Sequence, residues 1–173
     1  MVIKLGIFGM KLMVGGERVL SDVFDSNVVA GTIDILQGKI QVVVKMELER
    51  VKNDGNCLFN SVSLAMDGTV DKAVEMREAI AAIILADETK YTQKFLGQDP
   101  AEYCKWLTSG PHAWGGDTEF EILALHYGIE IGVVDIQQNF TFSFNEGSAT
   151  GLRIYIAFTN DHFNLIRSWK GER

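Results

Sequence analysis

Asp54-Gly55-Asn56-Cys57-Leu58-Phe59 constrains this chain more than any other stretch. Small turn-forming residues end abruptly in a cysteine. From there apolar residues recur with helical spacing: Leu58, Val62 and Ala65 stand at i, i+4 and i+7. The pattern predicts a tight turn feeding a helix that starts near Cys57. A thiol at that point meets unpaired backbone N–H groups and the positive end of the helix dipole. Both favour the thiolate, the reactive form of cysteine. The alternative is a small buried hydrophobe, the commonest fate of a free cysteine. The Asp-Gly-Asn run argues against burial, because such a sequence makes an exposed turn.

A nucleophile needs a base, and the chain has 3 histidines. His126 lies inside Phe120-Glu121-Ile122-Leu123-Ala124-Leu125-His126-Tyr127, an amphipathic helix, and reads as structural. His112 follows Pro111 in a loop and reads as a solvated surface residue; lining of a substrate cleft is the other reading. His162 stands apart. It follows the strand-like run Leu152–Phe158 and the turn Thr159-Asn160-Asp161, and Asn164 comes two positions later. On a strand, positions 162 and 164 share a face. An Asn side-chain oxygen there can accept from one imidazole nitrogen, fix the tautomer and leave the other nitrogen for a thiol. Cysteine, then histidine, then a polar orienting residue is a cysteine-protease order.

Three blocks together, Asp54-Gly55-Asn56-Cys57-Leu58-Phe59, Trp114-Gly115-Gly116-Asp117-Thr118-Glu119 and His162-Phe163-Asn164, resemble the ovarian tumour (OTU) family of cysteine peptidases, most of which are deubiquitinases. The blocks stand in the family's order, and the resemblance spans roughly residues 46–170. It does not reach residues 1–45. It implies a papain-like α+β fold, with helices packed against a small mixed β-sheet and the nucleophile at a helix N-terminus. It implies Cys57 as nucleophile, His162 as base and Asn164 as orienting residue. Many members carry Asp where Asn164 stands; Asn preserves orientation but supplies no negative charge to an imidazolium. Asp54 matches an aspartate that some members place in the triad, and turn-shaping through backbone N–H groups is its other reading. Backbone N–H groups of the 54–57 turn would form the oxyanion hole, with Gly55 allowing the sharp approach and Asn56 tolerating positive φ. Trp114, Gly115 and Gly116 would border the channel for the substrate's C-terminal tail, and Glu119 is expected to be structural, as a capping-box partner at a helix start.

The implied activity is hydrolysis of isopeptide bonds to ubiquitin through an acyl-enzyme on Cys57, with no cofactor and no metal. Two other readings stand beside it. One is an OTU fold that binds ubiquitin without cleaving it. The other is a protease acting on a different ubiquitin-like modifier or a viral polyprotein. Linkage preference is not written in these motifs.

Composition narrows the partners. The formal net charge of −7 argues against nucleic acid or an anionic membrane as the main partner, and permits one with a basic face. Hydrophobic content of 47% and charged content of 23% are ordinary for a globular protein. With 2 cysteines there is no disulfide framework, and no four-ligand Cys/His set for zinc. Cys104 reads as a packing residue. A catalytic thiol must stay reduced, so a cytoplasmic location is expected, or the host cytosol for a viral or bacterial effector. The N-terminus is broken early by Lys11 and does not read as a signal peptide.

Residues 1–50 read as β-rich. One hairpin is expected in Lys11–Leu20 around Gly15-Gly16, another in Thr32–Val44 around Gln37-Gly38. With no Pro/Ser-rich linker before Asp54, residues 1–45 are taken as an extension of unknown role, either separate from or part of the same domain, and 46–173 as the catalytic domain. The extension reads as extra strands on the catalytic sheet or as a partner-binding module. Helices are expected from Cys57, over Asp71–Asp87 with Val74, Ala81, Ile84 and Leu85 on the apolar face, over Glu88–Leu96, over Asp99–Leu107, and from a cap at Asp117 to Gly128. Strands are expected over Ile129–Ile136, Phe140–Phe144, Leu152–Phe158 and His162–Ile166.

Overall fold

The computed structural model describes residues 2–5, 10–13, 28–34, 41–138 and 140–167, with side chains from residue 47 onward. Strands β1 (Val2–Leu5) and β2 (Met10–Met13) pair antiparallel as a separate two-stranded sheet. The hairpin expected around Gly15-Gly16 falls on positions 14–20, which lie outside the described residues. The second expected hairpin forms. Strands β3 (Val28–Asp34) and β4 (Gln41–Glu49) pair antiparallel, with Asp34 opposite Gln41.

Five helices follow: α1 (Cys57–Asp67), α2 (Ala73–Ala86), α3 (Gln93–Leu96), α4 (Pro100–Leu107) and α5 (Asp117–Tyr127). The strands β5 (Glu130–Asp135), β6 (Phe140–Phe144), β7 (Arg153–Thr159) and β8 (His162–Arg167) complete the described chain. The main sheet has six strands in the order β3-β4-β8-β7-β5-β6. Only β5 and β7 run parallel, so the sheet is mixed and the class is α+β, as expected. Helix α1 packs on β7 and β8, α5 on β5 and β6, and α2 lies against α1, α4 and α5.

The cores explain the layering. Leu58, Phe59 and Val62 of α1 and Phe120, Leu123 and Ala124 of α5 bury against Ile131, Val133, Ile154 and Ile156 of the sheet. A smaller cluster of Leu48, Val134, Ala157 and Ile166 forms on the opposite sheet face, as period-2 alternation requires. Strand β5 is buried at every position, with β6 and β7 on its two edges.

Three local expectations change. The buried stripe of α2 is Ala73, Met76, Arg77, Ile80, Ala81 and Ile84, whereas Val74 and Leu85 are exposed. Apolar character alone chose the wrong face at those two positions, and an arginine occupies the right one. The helix expected over Glu88–Leu96 shrinks to Gln93–Leu96. Asp87 accepts from the Thr89 hydroxyl and the Lys90 N–H, which diverts the chain into a turn, and Thr92 caps the short helix through Phe95 N–H. Asp99 caps α4 as expected, accepting from Ala101 and Glu102 N–H at 3.0 and 3.3 Å. Asp117, by contrast, is the first helical residue of α5 and Gly116 is its cap position.

Candidate active site

The 54–57 turn is held from within and from behind. Asp54 Oδ1 accepts from Asn56 N–H at 3.0 Å, closing an Asx-type turn. Gly55 sits at φ +79°, and a Cβ there would lie 1.8 Å from the Pro111 carbonyl oxygen. Only glycine fits, on conformation and on space. Asn56 adopts φ −109°, so the positive φ expected as tolerable there is carried by Gly55 alone. The Asn56 carbonyl accepts from Asn60 N–H at 2.8 Å and starts α1, placing Cys57 at the first helical position.

The sulfur meets the sheet at an opening. Strand β4 pairs with β8 only over Glu47–Glu49, opposite Arg167–Leu165. Past Glu49 the strand pairing ends, and the backbone of Phe163, next to His162, comes near enough to Cys57 to oppose, with the backbone N–H groups of Leu58 and Cys57 itself, the rise that burial imposes on the thiol. The strand runs from His162, so His162 and Asn164 do share a face. The fold thus packs α1, which begins at Cys57, against β8, which begins at His162.

Two features differ from the expected arrangement. Cys57 is only 9% exposed, although Asp54 beside it is open to solvent. Burial pushes its thiol above the ordinary value; the three N–H groups oppose this, and the Asp54 charge reinforces it. The isolated helix-terminus argument predicted a depressed value, and desolvation outweighs it. Asn164, also buried, accepts from the Val51 N–H through its Oδ1 at 3.2 Å. The Nδ1 atom of His162 is buried with no hydrogen-bond partner among the described residues. Asn164 thereby ties the segment after β4 to β8, and the expected bond from its oxygen to the imidazole is not formed.

This electrostatic state has a direct consequence. Iodoacetamide alkylation of Cys57 in the substrate-free protein is expected to accelerate about tenfold per pH unit through neutrality. Its midpoint should fall above that of an ordinary thiol. A midpoint below that value would mean that an imidazolium already holds a thiolate at rest.

The tail-channel residues flank the turn. Trp114 is 54% exposed, not packed as a helix-entry residue would be. A Cβ on Gly115 would lie 3.0 Å from Leu58 and 3.1 Å from the Phe59 ring, so this strand of backbone runs directly over the first turn of α1. Gly116 has open space at the same position. Glu119 does serve the start of α5, accepting from Gly116 N–H at 2.8 Å, and it also accepts from the Tyr103 hydroxyl. Burial raises the carboxyl of Glu119 despite these bonds and the nearby charge of Arg77.

Other candidates take quieter places. His112 is exposed, 2.9 Å from the Ser109 hydroxyl, and His126 is exposed against Tyr127. Cys104 is buried among core residues, with its thiol raised by burial. Three participants were not legible beforehand: Val51, the Phe163 N–H and Arg77. For Arg77 the sequence did hold a signal, an arginine in register with the apolar positions 73, 76, 80 and 84 of α2.

Comparisons with known proteins place this geometry. The family described as OTU-like cysteine protease matches residues 52–160. The ubiquitin thioesterase Otu1 of Drosophila melanogaster is 40% identical over 118 residues, 67% of this chain and 34% of that protein. The ovarian tumor domain-containing deubiquitinating enzyme 2 of Arabidopsis thaliana is 34% identical over 116 residues, 67% of this chain and 55% of that protein. The chain therefore spans between about a third and about half of these relatives. Among solved structures, an ovarian tumor domain in complex with ubiquitin superposes with TM-score 0.64 at 24% identity, covering 70% of this chain and 69% of that one. The viral OTU domain protease of Dera Ghazi Khan virus gives TM-score 0.59 at 24% identity, covering 72% of this chain and 82% of that one.

Proposed function

The chain belongs to the OTU-like cysteine protease family, and from that premise we propose that it is a deubiquitinase cleaving isopeptide bonds at the C-terminus of ubiquitin. The observation that carries the reading is the meeting of Cys57 with the His162–Phe163 end of β8, where β4 leaves the sheet edge open. In the proposed reaction His162 takes the Cys57 proton as the sulfur attacks the terminal glycine carbonyl. The developing oxyanion is met by N–H groups of the turn and of the first turn of α1. His162 then protonates the departing lysine amine, and water releases ubiquitin from the thioester. Gly115, tight over Leu58 and Phe59, and the exposed Trp114 fit a narrow channel for an extended, glycine-rich tail. Relatives whose names state ubiquitin thioesterase or deubiquitinating activity support the substrate class. A thiol that must remain reduced supports a cytoplasmic setting, or the cytosol of a host.

The test is labelling with a ubiquitin probe bearing an electrophilic C-terminus. We expect one adduct, mapped by peptide sequencing to Cys57. A folded protein that binds the probe without forming an adduct would instead be a non-catalytic ubiquitin-binding module. Labelling only by probes of another ubiquitin-like modifier would transfer the activity to that substrate.

Within this reading Asn164 orients His162, and Asp54 is either its competitor for that role or the shaper of the turn. The bond from Val51 to Asn164 and the bond from Asn56 to Asp54 favour a structural share for each. Asn164→Ala is expected to lower kcat by about tenfold, well short of the loss on removing the base. A loss equal to that of His162→Ala would give Asn164 a larger part. Inactivity of Asp54→Ala with near-normal Asn164→Ala would move the orienting role to Asp54.

A further inference from the structure

Arg77 is only 2% exposed and has no carboxylate bonded to it, an expensive placement for a guanidinium. Burial lowers its affinity for the proton, opposed by the charges of Glu119 and Asp54. It is compensated by an organised set of acceptors. Nη1 donates to the carbonyls of Leu107 at 3.0 Å and Ala113 at 2.6 Å. Nη2 donates to the Gly55 carbonyl and to Asn56 Oδ1, both at 3.1 Å. The guanidinium lies 4.1 Å from the centre of the Phe59 ring, and Nε has no partner. One side chain of α2 thus joins the turn before Cys57, the first turn of α1 and the 107–113 loop whose Pro111 presses on Gly55.

Two of these bonds control groups that face the chemistry. In a trans peptide the C=O and N–H point in opposite directions. The Gly55–Asn56 peptide is gripped at both ends, its carbonyl by Arg77 and its N–H by Asp54. Its plane is therefore set before the chain reaches Cys57. The second bond concerns Asn56. Asn at a helix cap ordinarily accepts from the N–H of the second or third helical residue. Here Asn56 makes no such cap: its backbone stands at φ −109°, ψ 8°, and its Oδ1 accepts from Arg77. The N–H groups at the start of α1 receive nothing from Asn56, and those of Cys57 and Leu58 oppose the rise that burial imposes on the thiol.

We propose that Arg77 is a positioning residue for the thiol chemistry. It fixes the Gly55–Asn56 peptide and withholds the Asn56 side chain from capping α1, which leaves the helix N–H groups to the sulfur and the oxyanion. The part of this that concerns turnover rests on the hydrolase reading above; the part that concerns the thiol does not. Arg77→Met keeps an apolar stem over Phe59 and frees Asn56 to cap. Arg77→Lys keeps the charge but cannot reach both pairs of acceptors with a fork.

The experiment compares the two variants with Arg77→Met/Asn56→Ala, in which no Asn cap can form. Thermal melting identifies which of them are folded. Iodoacetamide alkylation of Cys57 against pH is read without substrate, and kcat and KM with a ubiquitin C-terminal fluorogenic substrate. Arg77→Met should slow alkylation at a fixed neutral pH by about two- to fivefold, by an upward shift of its midpoint. It should lower kcat by about 10²-fold with KM changed less than about threefold. Arg77→Lys should fall between it and the wild type. The double variant should alkylate faster than Arg77→Met, an order that a purely structural defect would not produce. If Arg77→Met does not fold, Arg77→Lys decides. Folded Arg77→Lys with the wild-type alkylation profile and wild-type kcat overturns the proposal, as does a double variant slower than the single one. A shifted alkylation profile in a protein inert toward every ubiquitin probe would overturn the substrate assignment and leave the positioning role standing.

Discussion

Cys57→Ala is expected to abolish turnover of a fluorogenic ubiquitin substrate, and His162→Ala to reduce kcat by about 10³-fold or more. The first loss follows from removing the sulfur that forms the acyl-enzyme in the proposed reaction. The second follows from the state of the sulfur. Burial keeps the Cys57 thiol protonated beyond the ordinary range, so the helix terminus alone leaves very little thiolate at neutral pH. The base therefore does more here than it would for a thiolate formed in advance. This makes the pH dependence of the variant diagnostic. Below the raised thiol value the residual rate of His162→Ala should climb about tenfold per pH unit, because hydroxide replaces the imidazole in forming thiolate. Steady-state rates over a range of pH, with circular dichroism to confirm folding, check both. A His162→Ala protein within about tenfold of the wild type, or one with a flat pH profile, would remove His162 from the role of base.

Gly55→Ala is expected to lower kcat by about 10²-fold while barely altering substrate affinity. The position has φ +79°, and the new Cβ would lie 1.8 Å from the Pro111 carbonyl oxygen, well inside any tolerable contact. The turn has to move. A displacement of about 1 Å at the oxyanion donors is enough for a loss of this size. Gly68→Ala serves as the matched comparison. Gly68 has a similar φ of +73° at the end of α1, but a Cβ there meets nothing within 4 Å. It should lose about 1 kcal/mol of stability from left-handed strain and keep its kcat. Urea unfolding and steady-state kinetics on the two variants separate strain from misplacement. Equal kcat in both would mean that the close approach of the 55 and 111 backbones has no part in catalysis.

Local sequence carried a good deal of this molecule. The turn into α1, the Asp99 cap of α4, the αL glycine after α5 and the alternating strands each depend on contacts within a few residues, and each appears where the pattern placed it. The failures share a different cause. Val74 and Leu85 were assigned to the buried face because they are apolar, but which stripe of α2 faces α1, α4 and α5 is decided by packing. Asp87, Thr89 and Lys90 formed a side-chain-bonded turn in competition with a helix of comparable local propensity. At the site, Cys57 and His162 could be named as candidates from their local patterns. The oxygen of Asn164 going to Val51, and the oxygen of Asn56 going to Arg77, were not, since each depends on a backbone or side chain 21 or more positions away.

Sequence alone determined the candidate reacting groups: a thiol presented by a glycine turn at a helix start, and an imidazole at a strand start. Their chemistry is covalent and travels with the residue type. The tertiary structure decided the state in which they wait. Where β4 parts from β8, the sulfur is enclosed enough for desolvation to overrule the helix N-terminus. Where Arg77 reaches the turn, the capping side chain is drawn aside. Both outcomes turn on how much water and how many opposing dipoles surround a group, and those are set by segments that meet only once the chain has folded.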